Sequence, residues 1–153
     1  MRRISIPAVL LVASVFSAAF IANVPNAETH IIQMLNKAPD GTRMAFYPNF
    51  LKAAPGDIIR FEATDKGHSV QSMDGMLPDG VEGWKGKLNK SLEITVTEPG
   101  VYGYKCQPHF GLGMVGMFVV TGSPANLKTA RAVKVRGRKP KKAFKKLFEQ
   151  ATV

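Results

Sequence analysis

Short strand-like segments separated by turn signals are the feature that most constrains the fold of this chain. Residues 92–97 alternate between apolar and polar side chains, a period of two that is typical of a half-buried β-strand. Glu98-Pro99-Gly100 then predicts a turn, and residues 101–105 begin a new strand. Comparable segments occur at residues 29–36, 44–51, 58–63, 68–73 and 114–121. This succession of short strands predicts a mainly β chain folded as a sandwich.

The C-terminal segment, residues 123–153, has the pattern of two amphipathic helices. Residues 126–135 have helical spacing, and Pro140 separates them from a second helix at residues 141–151. One face of the second helix is apolar and consists of Phe144, Leu147, Phe148 and Ala151. We expect this face to pack on the sandwich, so that the segment belongs to the same domain. A helix on a membrane surface and a site for an acidic partner are the alternatives.

Positive charge is concentrated in this C-terminal segment. The chain has 21 lysines and arginines against 11 aspartates and glutamates, a formal net charge of +10. Residues 28–126 have nine basic and ten acidic residues and sum to −1, whereas residues 127–153 have ten basic residues and Glu149 and sum to +9. Because the body is nearly neutral, its composition gives no argument for a nucleic-acid partner, and we expect none.

The N-terminus has the layout of a secretory signal peptide. A short basic start precedes an almost wholly apolar run, residues 6–22, that ends in small residues. We expect cleavage after Ala27, so that residues 1–27 are removed and the sandwich occupies residues 28–122. Cleavage near residues 17–19 and an uncleaved membrane anchor are the alternatives. No later run is apolar enough to span a bilayer, so we expect the exported protein to have no membrane span. We also expect it to be a monomer.

The chain has a single cysteine, Cys106. Exported proteins usually pair their cysteines in disulfides, so an unpaired one is expected to be buried, ligated or reactive. His109 follows three residues later and Met114 five residues after that, on one loop between the predicted strands 101–105 and 114–121. A soft copper site needs a thiolate, two imidazoles and often a weak thioether. The loop therefore predicts a copper site.

The second imidazole must come from elsewhere in the chain. His68 lies at the start of another short strand and is the natural candidate, whereas we expect His30, near the mature N-terminus, to lie on the surface. Pro108 stiffens the loop just before His109, and the glycines that follow allow a sharp bend.

Other interpretations explain these residues only one at a time. A lone cysteine is usually a small buried apolar residue, and Met114 and Met117 could both belong to the core. We assign Met117 to the core because it lies inside the predicted strand. Structural zinc sites take four cysteine or histidine ligands and no methionine. A Cys–His nucleophilic enzyme would need an orienting third group and an oxyanion site, which this loop does not offer, so we expect no enzyme.

Several motifs resemble the pseudoazurins, a family of the blue copper proteins or cupredoxins. The Cys-x-Pro-His-x-x-x-x-Met spacing at residues 106–114 is shared with plastocyanins and does not choose between them. Pseudoazurin-like motifs also occur at residues 34–37, 54–57, 65–68, 75–80, 99–102 and 123–127, and plastocyanins lack the two C-terminal helices. The resemblance covers essentially all of residues 28–153. It implies an eight-stranded Greek-key cupredoxin sandwich with one type 1 copper, held by His68, Cys106, His109 and Met114.

Two positions depart from the family pattern. Pseudoazurins usually have Asn after the first ligand histidine, where this chain has Ser69, and Thr after the ligand cysteine, where it has Gln107. In the family these two positions hydrogen-bond across the site. We expect Gln107 to reach Ser69 or its backbone and, together with Pro108, to hold the ligand loop.

The resemblance also implies a periplasmic one-electron carrier, with copper nitrite reductase or a cytochrome as its redox partner. His109 should lie near the surface in a shallow apolar patch with Phe110 and Leu112. Lysines around this patch would steer an acidic partner, at a rate that falls with salt: Lys37, Lys66, Lys85, Lys87 and Lys105. We expect the C-terminal lysines to add only a long-range field. A periplasmic copper storage or delivery protein is the alternative function.

Overall fold

Two β-sheets and two C-terminal helices make up the fold of the computed structural model, which describes residues 26–122 and 126–152. Within these residues the strands are β1 (Thr29–Lys37), β2 (Arg43–Tyr47), β3 (Phe50–Ala53), β4 (Ile58–Glu62), β5 (Gln71–Ser72), β6 (Leu92–Thr95), β7 (Gly100–Lys105) and β8 (Val115–Val120). The helices are α1 (Leu127–Ala132) and α2 (Arg138–Gln150), and a 3₁₀ turn spans Phe110–Leu112. The predicted signal peptide lies outside the described residues, apart from residues 26 and 27.

The strands form two four-stranded sheets. One has the order β2-β1-β4-β6 and the other β3-β8-β7-β5, so the chain changes sheet after every strand from β2 to β6. β1 pairs antiparallel with β2 and parallel with β4, while β7 and β8 form a long antiparallel pair from Gly100↔Val120 to Lys105↔Val115. This arrangement confirms the mainly β cupredoxin sandwich with two C-terminal helices.

The extended run predicted at residues 44–51 is divided between the two sheets. β2 ends at Tyr47 and pairs with β1, whereas β3 begins at Phe50 and pairs with β8. Pro48 lies between them, and proline has no backbone N–H with which to continue a ladder. The chain therefore leaves one sheet and enters the other at this point.

Aromatic rings fill the space between the sheets. The rings of Phe46 and Phe61 both contact Tyr104 edge-on, with centroids 4.9 Å away. Trp84, from the long loop before β6, stacks on Phe61 and Phe118 with centroid distances of 6.4 Å. Trp84 thereby packs its loop against the core.

The C-terminal helices cover the outer face of the second sheet. Phe144, Leu147 and Phe148 of α2 are buried in a cluster that also contains Met117 and Val119 of β8. This confirms both the packing of the apolar face and the assignment of Met117 to the core. No helix among the described residues has the length and apolar character needed to cross a membrane.

The helix boundaries differ from those predicted. α1 ends at Ala132, and α2 already begins at Arg138, so that Pro140 lies in its first turn and does not precede it. Proline is tolerated there because the first N–H groups of a helix have no partner within the helix.

Asp57 ties the start of β1 to the turn before β4. Its Oδ1 accepts a hydrogen bond from the Glu28 backbone N–H at 2.9 Å, and its Oδ2 accepts one from the Ala54 N–H at 2.7 Å. His30 Nε2 lies 2.8 Å from the same Oδ2, so His30 is a half-buried structural residue and does not lie free on the surface as expected. The backbone N–H groups of Ala54 and Glu28, followed by His30, lower the pKa of Asp57 from 3.8 to about 2.

We predict that Asp57→Asn lowers the free energy of unfolding by about 1–3 kcal/mol at pH 7, because hydrogen bonds to a charged group are lost. A lowered carboxyl pKa stabilises the fold above the pKa of the unfolded chain, and this contribution is lost as pH falls from about 4 toward 2. Denaturant unfolding of both proteins between pH 2 and 7 should therefore show the difference shrinking in acid. A difference that is constant with pH would contradict this role of the charge.

Candidate metal centre

Three predicted ligands from two separate loops converge at one end of the sandwich. Cys106 directly follows β7, His109 lies in the loop between β7 and β8, and His68 comes from the loop between β4 and β5. The Cys106 Sγ lies 3.7 Å from the Nδ1 atoms of both His68 and His109, and these two nitrogens are 3.1 Å apart. One thiol and two imidazole nitrogens thus face a common point.

Backbone hydrogen bonds close the loop that carries most of these ligands. The Cys106 N–H donates to the Met114 carbonyl at 3.0 Å, which joins the two ends of the loop. Inside it, the N–H groups of Leu112 and Met114 both donate to the His109 carbonyl, at 3.0 and 3.3 Å. Gly113 adopts a φ of 92°, in the left-handed region that favours glycine. The backbones of Cys106 and Met114 are consequently held next to each other, and both residues are buried in the same core cluster.

Two asparagines that sequence reasoning missed hold His68 in place. The His68 Nε2 lies 3.1 Å from the Asn36 Oδ1, which leaves Nδ1 as the nitrogen that faces Cys106. Asn89 donates its N–H to the His68 carbonyl at 2.8 Å and accepts the Gly67 N–H on Oδ1 at 2.6 Å. Asn36 lies within a family-like motif, but its role depends on β1 running beside the His68 loop, which no local pattern shows.

Burial controls the protonation of both buried ligand groups. It lowers the pKa of the His68 imidazole, the nearby His109 lowers it further, and Asp65 opposes the shift. Burial also raises the pKa of the Cys106 thiol, although the backbone N–H groups of Ser69 and His109 partly oppose this. A neutral imidazole is ready to bind a metal, whereas a buried thiol needs a nearby cation in order to ionise.

The donor set fits copper. His68, Cys106 and His109 place their donor atoms within 4.8 Å of one another, and the Met114 side chain is buried in the same core cluster as Cys106. Two imidazoles, one thiolate and a weak thioether are the ligands of blue copper sites, whereas structural zinc sites use no thioether.

Comparisons with known proteins agree with this chemistry. Residues 32–121 match the family model of copper binding proteins, the plastocyanin/azurin family. The pseudoazurin of Paracoccus pantotrophus is 50% identical over 121 residues, which cover 79% of this chain and 80% of that protein. The pseudoazurin structure from Sinorhizobium meliloti has a TM-score of 0.77 at 48% identity and covers 81% of this chain and 96% of that one.

A second solved structure, the pseudoazurin of Hyphomicrobium denitrificans, has a TM-score of 0.74 at 36% identity. It covers 80% of this chain and 97% of that one. This chain belongs to the pseudoazurin family. Copper is therefore its cofactor, and copper-dependent electron transfer is the chemistry that this family supports.

An apolar patch surrounds the exposed edge of the site. His109 and Phe110 are half-buried, whereas the Leu112 side chain is 52% exposed. The Lys105 ammonium lies 5.3 Å from the centre of the Phe110 ring. Of the three residues whose donor atoms converge, only His109 reaches the surface, since His68 and Cys106 are buried.

The clamp expected between Gln107 and Ser69 is not formed by their side chains. Ser69 is buried and Gln107 is exposed, and together with Pro108 they line a cavity of about 420 Å³. In the part of the chain that the structure describes, no hydrogen bond joins these two side chains.

All five predicted steering lysines lie beside residues that build the site. Lys37 follows Asn36, Lys66 precedes Gly67, and a Cβ at Gly67 would be 4.0 Å from the His109 ring. Lys85 and Lys87 line the cavity at Pro108, and Lys105 lies over Phe110. Four of them are exposed and Lys105 is half-buried.

We predict that Asn36→Ala weakens copper binding about 10- to 100-fold, because partners of ligand histidines contribute to metal affinity by this factor. Lys37→Ala, at the next position, should leave the affinity unchanged. Competition with a chelator of known copper affinity measures both. Equal affinities for the two variants would show that Asn36 does not orient His68.

Proposed function

We propose that the protein is a periplasmic one-electron carrier in which His68, Cys106, His109 and Met114 hold one type 1 copper ion. The observation that carries this proposal is the convergence of one thiol and two imidazole nitrogens, 3.1–3.7 Å apart, beside a buried methionine. Copper bound there would supply a centre that gains or loses a single electron.

The residues of the chain would keep this centre rigid and dry. The backbone bond between Cys106 and Met114 holds the two ends of the ligand loop, and Asn36 orients His68. Burial of His68, Cys106 and Met114 excludes water from the interior side. Because His109 alone lies at the surface, its imidazole edge is the proposed route by which electrons enter and leave.

A carrier needs no group that reacts with a substrate, and we propose no catalytic residue. A copper storage or delivery protein would release its ion readily, which the closed loop and the buried donor atoms disfavour. Reversible one-electron voltammetry of the copper-loaded protein separates the two functions, because a carrier retains its ion in both oxidation states.

We further propose that the partner is an acidic redox protein, with copper nitrite reductase as the acceptor and a cytochrome as the alternative. A small patch of Phe110, Leu112 and Pro108 around His109 suits the weak, transient contact of redox partners. The surrounding lysines would attract negative charge on the partner.

Export and removal of residues 1–27 remain part of this proposal. Cleavage after Ala27 would turn the backbone nitrogen of Glu28 into a terminal ammonium. That nitrogen lies 2.9 Å from the Asp57 Oδ1, so the new charge would be adjacent to a carboxylate. The N-terminus generated by this cleavage is therefore compatible with the fold around it.

We predict that protein recovered from the periplasm after expression of the full chain has a mass that begins at Glu28. With Cu(II), it should show an intense thiolate-to-copper band in the visible spectrum and a small EPR hyperfine splitting. Cys106→Ser should abolish both signals. A pale spectrum that is the same with and without Cys106 would rule out the copper ligand set.

Two buried methionines, Met114 and Met117, offer a matched control for the proposed thioether ligand. Met114→Leu should change the visible and EPR spectra and raise the reduction potential, because removing a thioether donor destabilises Cu(II). Met117→Leu should leave both unchanged, since Met117 is buried in the cluster beneath the helices. Identical behaviour of the two variants would exclude Met114 as a ligand.

We predict that neutralising the five steering lysines to glutamine slows association with an acidic acceptor about tenfold or more at low ionic strength and flattens the salt dependence. Lys66→Gln is the single-residue test, and Lys128→Gln is its matched control. Lys128 lies two residues after Asn126, whose side chain bonds Val101 at the far end of β7 from Cys106. Stopped-flow reduction should show a larger effect for Lys66→Gln, and equal effects would refute local steering.

A further inference from the structure

A basic groove lies between α1 and α2, on the segment that carries most of the positive charge. It has a volume of about 860 Å³. Five of its lining residues are basic, and none of the described residues that line it is acidic: Arg131, Lys134, Arg136, Lys141 and Lys145. Its floor is apolar and is formed by Val133, Val135, Phe144 and Phe148. The groove thus combines a positive rim with an apolar base.

Contacts within the tail fix the positions of several basic residues that line the groove. The Arg131 guanidinium donates a hydrogen bond to the Phe148 carbonyl at 3.1 Å and lies 5.7 Å from the centre of the Phe148 ring. Lys141 and Lys145 are four residues apart on α2 and therefore project from one side of the helix. Folding of the tail thus places only some of its lysines on the rim of the groove.

The groove continues to the proposed electron-transfer patch. A smaller depression of about 290 Å³ shares Val133, Lys134, Val135 and Arg136 with the groove. Lys105 and Phe110, which border His109, line the other side of this depression, together with Met73 and Asp74. A path lined mainly by basic and apolar residues therefore leads from the His109 patch, over residues 133–136, to α2.

We propose that this groove is a second docking site for the redox partner and receives an acidic, partly apolar segment of it while the His109 patch makes the electron-transfer contact. This inference rests on the proposed function. It gives the C-terminal lysines a direct contact in place of the long-range role expected from the sequence. Charge complementarity and continuity with the patch both identify an acidic protein segment as the occupant.

A membrane surface fits the groove less well. Helices that bind bilayers insert protruding apolar side chains among the lipids. Here Phe144 and Phe148 are only 2% and 6% exposed and lie at the bottom of the groove. They can contact a chain that enters the groove, but they cannot reach into a bilayer.

Two pairs of lysines on α2 provide the test. Lys141→Gln/Lys145→Gln removes two charges from the groove, whereas Lys142→Gln/Lys146→Gln removes two exposed charges from the same helix outside it. The probe is a synthetic peptide of eight glutamates with one central leucine. Its binding to the copper(I)-loaded protein is followed by NMR at low ionic strength.

We expect Lys141→Gln/Lys145→Gln to weaken binding of the peptide about five- to tenfold and Lys142→Gln/Lys146→Gln to weaken it less than twofold. The effects are modest because each exposed ion pair adds little to the binding free energy. Shifts caused by the peptide should extend from residues 105–110 to residues 131–148. Equal weakening by both pairs, or shifts confined to residues 105–110, would overturn the proposal. The proposal would also be overturned if the unmodified protein bound phosphatidylglycerol vesicles but not the peptide, and if the Lys141→Gln/Lys145→Gln variant no longer bound the vesicles.

The peptide test of the groove and the test of the carrier function can fail separately. Voltammetry of both variants should be reversible with unchanged potential, because neither pair includes a proposed ligand. If the unmodified protein binds the peptide in the groove but shows no reversible electron transfer, the proposed function fails, and the groove stands only as a binding site for acidic segments. If electron transfer is normal and the Lys141→Gln/Lys145→Gln variant binds the peptide with the affinity of the unmodified protein, only the proposed docking site fails.

Discussion

The hydrogen bond from the Cys106 N–H to the Met114 carbonyl, at 3.0 Å, determines where three of the four proposed ligands lie. It continues the antiparallel ladder of β7 and β8 beyond Lys105↔Val115 and closes the loop at its base. Each side of that ladder is packed, which prevents the loop ends from separating. The sandwich core lies on one face, and the helices lie on the other.

This double packing explains the role of the C-terminal helices. All six residues of β8 are buried, with Phe118 and Val120 in the core between the sheets and Met117 and Val119 beneath α2. A one-residue slip of this strand would exchange its two buried sets between the two faces, so both layers would have to repack. The helices therefore stabilise the strand that holds the ligand loop, and their outward-facing lysines remain available for a partner.

Much of the fold could be predicted from local patterns, since alternation, turns and the apolar face of α2 are properties of neighbouring residues. Errors occurred where tertiary packing decided the outcome. Pro48 divides one extended run between two sheets, and Pro140 lies inside the first turn of α2. His30 looked like a surface residue until the fold placed Asp57 2.8 Å from it. Ser69 and Gln107 suggested a clamp across the site, yet among the described residues no hydrogen bond joins their side chains, because Ser69 is buried and Gln107 is exposed.

The sequence by itself determined the chemistry of the site, because one cysteine, one methionine and one histidine at fixed spacing on a short loop leave few other uses for those residues. It also determined the sandwich class and the charge of the tail. Only the tertiary structure decided which nitrogen of His68 faces the sulfur, that Asn36 and Asn89 hold this histidine, and that His109 alone of the converging ligands reaches the surface. It also decided which tail lysines line one groove. These properties depend on contacts between residues far apart in the chain, and such contacts exist only after the two sheets and the helices have packed.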